Sequence, residues 1–413
     1  MRWCPTRLTL EPSLRRQPTC SSDVSPCPPR DPIATAKPSV TMTDSSCTWP
    51  SVLAAAMSET SVPPDGVAWA MNRILDDQAT SAQIAAFVTA LRVRGESPEQ
   101  VRTLVDSMME RAVLIDSEQR PSVVVDVVGT GGDGSNSVNI STMTALVVAA
   151  AGAPVIKHGN RAASSATGSA DALEALGVRI ELSADAVATC AREVGIGFCF
   201  APAFHPALRF AGPTRRELAV PTVFNIAGPL ANPARPEAML VGCARVESAP
   251  VMAQVLADRG VSVIVVRGDD GLDEISTTTT TRAWDATGAE LQEVVLDPRE
   301  WGIARVDASL LVGGTAERNV ELLEACLRPG EASVSAQDAP RVSAIRDAVA
   351  VNAAAALVTF DAAVNHGNDT ESLSERIGSA IPRARAVLES GDAWALVSRW
   401  ADASNRVADA ADN

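Results

Sequence analysis

Between about Thr48 and Ile115, apolar residues recur every three or four positions, the spacing of helices that bury one face. Two of these segments open on capping boxes, Thr80-x-x-Gln83 and Ser97-Pro98-Glu99-Gln100, the second with proline at the first helical position. Ile84, Phe87, Val88 and Leu91 follow the first cap. Val101, Leu104, Val105, Met108 and Met109 follow the second, and the methionine pair reads as core or subunit interface. At Ser122 the period changes. SVVVDVV is a continuous, largely β-branched run, as expected of a strand covered on both faces. A glycine-rich loop follows, then a helix from about Ser141, the strand APVIKHG, a polar loop and a helix across ADALEALG. SVIVVRG at Ser262–Gly268 reads as another such strand. Alternating strands and helices imply a parallel sheet with right-handed crossovers. The expected fold class is α/β: a small all-helical N-terminal domain beside a larger α/β domain with a mainly parallel central sheet.

Composition agrees with a folded chain. The 413 residues leave room for about two domains, and 46% hydrophobic against 21% charged residues argues for globular structure. No uninterrupted apolar run approaches the roughly 18 residues that cross a bilayer; the longest, Ala145–Ile156, contains glycine and proline. No membrane partner is expected. A net charge of −15 opposes sequence-independent nucleic-acid binding, which needs clustered Lys and Arg. None of the eight cysteines forms a CxxC, so they read as reduced thiols of a cytoplasmic protein. Residues 1–41 hold eight of the 26 prolines and show no apolar periodicity. They read as a disordered tail or an upstream extension of a start at Met42, with an organellar transit peptide as the other reading.

GTGGDGSNSVNIST at Gly129–Thr142 contains GxGxxG after a strand and before a helix, the setting of a dinucleotide site. Two features oppose that reading. The helix begins well past the last glycine, and the end of the next strand carries Lys157 and His158 where an acidic residue should meet a ribose. What the loop offers is exposed backbone N–H groups and the hydroxyls of Thr130, Ser135, Ser137, Ser141 and Thr142, an anion cradle at a helix N-terminus.

Two further loops fit the same site. KHGNRAASSATGSAD at Lys157–Asp171 brings Lys157, His158, Asn160 and Arg161 together with Ser164, Ser165, Thr167 and Ser169. Loops after neighbouring parallel strands meet at the carboxyl edge of a sheet, so this pair suits a ligand with several phosphates. GDDGLDEIS at Gly268–Ser276 holds Asp269, Asp270, Asp273 and Glu274. The adjacent Asp273 and Glu274 suit Mg²⁺, a hard cation that keeps waters and bridges to substrate phosphates. With only three histidines, chemistry that needs a His base or a His metal cluster is limited.

Together with FHPALRFAGPTRRELAVPTVFNIAGPLANPARP at Phe204–Pro236, these motifs resemble the anthranilate phosphoribosyltransferase family, in the family's order from about Thr48 onward. The resemblance implies a helical domain over 46–118, joined by a returning segment near 213–236, and an α/β domain over 121–212 and 237–410. It implies that the diphosphate end of 5-phosphoribosyl 1-diphosphate meets Gly129, Gly132, Asp133, Ser137, Asn139, Ile140, Ser141 and Thr142. Lys157, His158, Gly159, Asn160, Arg161, Ala162, Ala163, Ser164, Ser165 and Ser169 would hold the 5-phosphate side. Gly129, Asn160 and Arg215 would contact anthranilate. Two Mg²⁺ ions are implied, one on Ser141 and Glu274 and the other on Asp273 and Glu274. A homodimer joined through the helical domain is implied as well. The activity expected is phosphoribosyl transfer to the anthranilate amine, with no covalent nucleophile and with His158 in a structural role. A pyrimidine nucleoside phosphorylase of the same fold is the competing enzyme reading, although it would leave Asp273–Glu274 without a purpose. A nucleic-acid-binding relative is the non-enzymatic one.

Overall fold

The computed structural model describes residues 47–58, 61–162, 167–328, 335–365 and 370–411. The expectations for residues 1–41 and for Ala163, Ser164 and Ser165 therefore lie outside the described residues.

Four helices open the described chain: α1 (Trp49–Met57), α2 (Pro64–Leu75), α3 (Ser81–Arg94) and α4 (Pro98–Met109). Both expected capping boxes are formed. The Thr80 hydroxyl accepts the Gln83 N–H at 3.3 Å, the Ser97 hydroxyl accepts the Gln100 N–H at 3.2 Å, and each glutamine reaches back to the cap's own N–H. The apolar residues behind each cap are buried, Met108 and Met109 included.

The chain then alternates. β1 (Val125–Gly129), α5 (Ile140–Ala150), β2 (Val155–Gly159), α6 (Ser169–Ala175), α7 (Ala184–Val194) and β3 (Ile196–Phe200) form one half. Short helices α8 (Ala201–Phe204), α9 (Gly212–Leu218) and α10 (Val223–Ala227) lead to β4 (Ala238–Gly242), α11 (Ala249–Asp258) and β5 (Ser262–Gly268). β6 (Thr281–Ala286) and β7 (Gln292–Leu296) follow, then α12 (Ala316–Leu327), α13 (Ala339–Asn365), α14 (Leu373–Ser390) and α15 (Asp392–Ala411). The seven strands lie in the order β3-β2-β1-β4-β5-β6-β7. The first five are parallel, and β6 and β7 extend the sheet antiparallel.

The period-2 geometry of the strands divides the core. Met239 and Val241 of β4, with Val263 and Val265 of β5, pack with the buried faces of α2, α3 and α4. Leu240, Ile264 and Val266 face the other way, toward α5, α13 and α14. Strands covered on both faces have no polar side to show, hence their continuous apolar runs. Residues of the segment after α9, Val223, Phe224, Ile226, Ala227 and Leu230, belong to the helical side of this division.

α13 runs 27 residues and is apolar enough by length and composition to cross a bilayer. Asn352 and Thr359 interrupt it, so no unbroken apolar run marks it in the sequence. Here it is a central core helix against α5, α14, β4 and β5. Buried Asn352 pins the acidic loop to this helix: its Oδ1 accepts the Ile275 N–H at 2.9 Å and its amide donates to the Ile275 carbonyl at 3.1 Å. Asn352→Leu keeps the volume but leaves both Ile275 groups buried and unpaired. Urea unfolding is expected to show a loss of about 3 kcal/mol, and an unchanged midpoint would remove this anchor from the account.

Candidate functional site

Four of the five parallel strands end on glycine: Gly129, Gly159, Gly242 and Gly268. At this carboxyl edge lies a cavity of ≈ 360 Å³. Gly129 and Gly242 are register partners on β1 and β4, and a methyl group on either would run into Asp273. Only glycine lets the acidic loop lie across the strand ends. The loop after β1 then turns through positive φ at Gly131, Gly132, Gly134 and Asn136, and its Gly131 N–H donates to Asp273 Oδ2 at 2.7 Å.

From this first loop Gly129, Gly132, Asp133, Ser137, Asn139, Ile140 and Ser141 line the cavity. Thr142 does not; it is buried one residue further along α5 with its hydroxyl unpaired. Asn139 ties three elements together, accepting from Asn319 of α12 at 2.9 Å and donating to the Thr167 carbonyl at 3.1 Å. The Asp133 carboxylate accepts from the Ser135 N–H and hydroxyl at 3.1 and 2.7 Å.

Lys157, His158, Gly159, Asn160, Arg161, Ala162 and Ser169 of the second loop line the facing wall. The Arg161 guanidinium is already engaged by Glu174 and Asp171 and lies over the Phe200 ring. Asp171 also accepts the Ala162 and Gly168 N–H groups at 3.0 and 2.8 Å, which closes the base of this loop onto α6. His158 is buried beside His205, ring centroids 5.2 Å apart. Burial, then the neighbouring His205, push its imidazole down to about 3, so it is neutral at physiological pH. One ring nitrogen bonds the Gly228 backbone, and Nε2 has no partner.

The four carboxylates of the acidic loop separate into two pairs. Asp269 and Asp270 bond to the hydroxyls of Thr280, Ser276 and Thr278, away from the cavity. Asp273 and Glu274 line it. Burial, then the like charge of Asp133, raises Asp273 to about 6, against the pull of the Gly131 N–H. Glu274 is pushed well above the usual carboxylate range by burial and Asp273, opposed by Lys157. The Ser141 N–H bonds Glu274, so this expected trio of Ser141, Asp273 and Glu274 is assembled. Among the described residues no group of three or more His, Cys, Asp or Glu could hold a metal ion. Two crowded buried carboxylates beside an anion cradle fit a cation that completes its shell with water and phosphate oxygens.

Arg215 of α9 lines the same cavity, half-buried, its guanidinium 5.3 Å from the centre of the Phe224 ring. Burial lowers its affinity for the proton. No acidic side chain among the described residues pairs with it. The cavity is also lined by Met108, which the sequence pattern assigns to core or subunit interface, and by His205, Leu208, Phe224, Asn225 and Pro229, to which it assigns no site role. All but Met108 fall in the Phe204–Pro236 segment, whose irregular short helices give no periodic signal.

Two family models match the chain: the helical bundle domain of a glycosyl transferase family over residues 50–112, and its a/b domain over 121–394. An anthranilate phosphoribosyltransferase of Nocardia farcinica is 52% identical over 342 residues, 83% of this chain and 95% of that protein. One from Rhodococcus opacus is 50% identical over 363 residues, covering 87% of this chain and 94% of that protein. Among solved structures, the enzyme of that name from Thermus thermophilus superposes with a TM-score of 0.73 at 35% identity, covering 86% and 99% of the two chains. The Saccharomyces cerevisiae enzyme in complex with PRPP and Mg gives 0.74 at 25% identity, with 87% and 98% covered. With its fold, its three loops and these relatives in agreement, the chain belongs to the anthranilate phosphoribosyltransferase family.

Proposed function

We propose that this chain transfers the phosphoribosyl group of 5-phosphoribosyl 1-diphosphate (PRPP) to the amine of anthranilate, releasing pyrophosphate and N-(5-phosphoribosyl)anthranilate, the second step of tryptophan synthesis from chorismate. The observation that carries the reading is Arg215, a half-buried guanidinium with no carboxylate partner among the described residues, in the same cavity as the anion cradle and the acidic pair. A cation so placed suits the carboxylate of an aromatic acid, which it can bind bidentately. Met108, Leu208 and Phe224 supply an apolar wall for the ring.

Backbone N–H groups of Gly129–Ser141 would hold the diphosphate end, and Lys157–Ala162 with Ser169 the ribose 5-phosphate side. Mg²⁺ would be held as two ions, one on Ser141 and Glu274, the other on Asp273 and Glu274. When bound, it stabilises negative charge on the departing pyrophosphate. The loop N–H groups add preorganised dipoles to the same end. An aromatic amine is a weak nucleophile, so a dissociative, oxocarbenium-like displacement is the route these residues serve best. His158, protonating only near pH 3, keeps a structural role and does not take the proton.

The same reading makes the protein a homodimer joined through the helical domain, where Met57 of α1 and Val93 of α3 are 73% and 82% exposed. It also makes it a cytoplasmic enzyme, supported by Cys190, Cys199, Cys243 and Cys326, which are buried free thiols.

Anthranilate fluorescence is expected to fall when PRPP and Mg²⁺ are added; constant fluorescence would sink the assignment. Arg215→Ala is expected to raise the KM for anthranilate about thirtyfold, near the ~2 kcal/mol of a charge-assisted pair, while PRPP binding changes little. The reverse pattern would remove Arg215 from the acceptor side. Because protons compete with the metal for Asp273, affinity for Mg²⁺ in the presence of PRPP should weaken as pH falls through about 6. Calorimetry showing no such dependence would take Asp273 out of the metal site. Sedimentation should give twice the chain mass, and a monomer would refute the dimer.

A further inference from the structure

The ladder between β1 and β2 stops after its first pair, Val125 with Val155. The Val125 N–H bonds the Pro154 carbonyl at 2.8 Å. Continued in this register, a parallel ladder would join the Val127 N–H to the Ile156 carbonyl and the His158 N–H to the Val127 carbonyl. Instead, side chains satisfy all four groups. The Asp126 carboxylate accepts the Val127 N–H and, at 3.1 Å, the His158 N–H. The Asn232 amide donates to the Ile156 carbonyl and to Asp126 Oδ2, both at 2.8 Å. The Lys157 ammonium donates to the Val127 carbonyl. Asn232 is itself held by the Ala234 N–H at 2.8 Å.

Neighbouring ladders show no such break: β1 pairs with β4 over five residues, and so does β2 with β3. Neither Asp126 nor Asn232 lines the cavity, and they are 0% and 3% exposed. A regular backbone ladder would satisfy the same groups without burying a carboxylate, whose desolvation is costly. Core stability alone therefore gives no reason for the arrangement.

We propose that Asp126 and Asn232 are positioning residues, a polar wedge that parts β1 from β2 and holds the two ligand loops apart. The gap between the strands is where Lys157 turns its ammonium to the Val127 carbonyl, within 3.4 Å of the Ser141 hydroxyl on the cavity floor. The wedge also ties the segment carrying Asn232 to both strands, so the two strands that lead into the cavity are referenced to one buried point. Substrate with its diphosphate lies between the loops, an inference that rests on the function proposed above.

Asp126→Asn keeps the volume but turns an amide N–H against either the His158 N–H or the Asn232 amide. Asn232→Ala removes one arm only and decides the matter where Asp126→Asn does not fold. PRPP binding with Mg²⁺ is measured by calorimetry on each full-length variant, with steady-state KM and kcat and circular dichroism alongside. Expected in each variant with a native spectrum is a loss of PRPP affinity of about tenfold or more, a matching rise in KM for PRPP, and a double variant little worse than the worse single one. A lowered melting temperature with PRPP affinity intact would overturn the proposal, leaving the wedge purely structural. Additive losses would overturn it as well. A wild-type chain that binds no PRPP would overturn the functional reading instead.

Discussion

The carboxyl edge of the sheet is organised by a charge conflict. Asp273 and Glu274 are buried side by side, close to Asp133, on the floor of a cavity whose walls are loops shaped for anions. Neither half is comfortable alone. Burial and crowding disfavour the charged form of both carboxylates, and once ionised they would repel a diphosphate brought near them. A divalent cation resolves both difficulties together, which is why metal and phosphate loops occur as one unit.

Glycine makes that unit sterically possible. Gly129 and Gly242 face each other across β1 and β4, and the Asp273 segment lies against both. Asn352 then anchors the same loop from beneath through Ile275. The acidic loop is thus held by its backbone on two sides, and the Asp273 and Glu274 carboxylates line the cavity. Asp269 and Asp270 spend theirs on local hydroxyls. The second wall is set by different means, since Asp126, Asn232 and Lys157 take over the bonds that β1 and β2 do not make with each other.

The acceptor side is built from pieces far apart in the chain. Met108 comes from the end of α4, and Arg215 and Phe224 come from short helices packed against the helical domain. An apolar patch and a guanidinium with no carboxylate partner among the described residues thereby share the cavity with the anion cradle. A cavity lined in this way suits both an aromatic acid and a phosphate ester.

Local pattern in the sequence determined a good deal: the capped helices, the buried strands β1, β2 and β5, the phosphate character of Gly129–Thr142 and the acidic pair. These are short-range properties, set by propensity, period and backbone freedom within a few residues. Tertiary structure alone decided the rest. β6 and β7 turn antiparallel, and α13 is a core helix that no unbroken apolar run announces. Thr142 does not line the cavity although Ile140 and Ser141 before it do, and Arg161 is taken up by Glu174 and Asp171. Asp126 is visible as a single carboxylate inside an otherwise apolar strand, but its partner Asn232 is 106 residues away. Which carboxylate meets a ligand and which meets a serine depends on contacts closed over such distances. The glycine loop announces that anions bind; the folded sheet edge determines how far apart its walls stand.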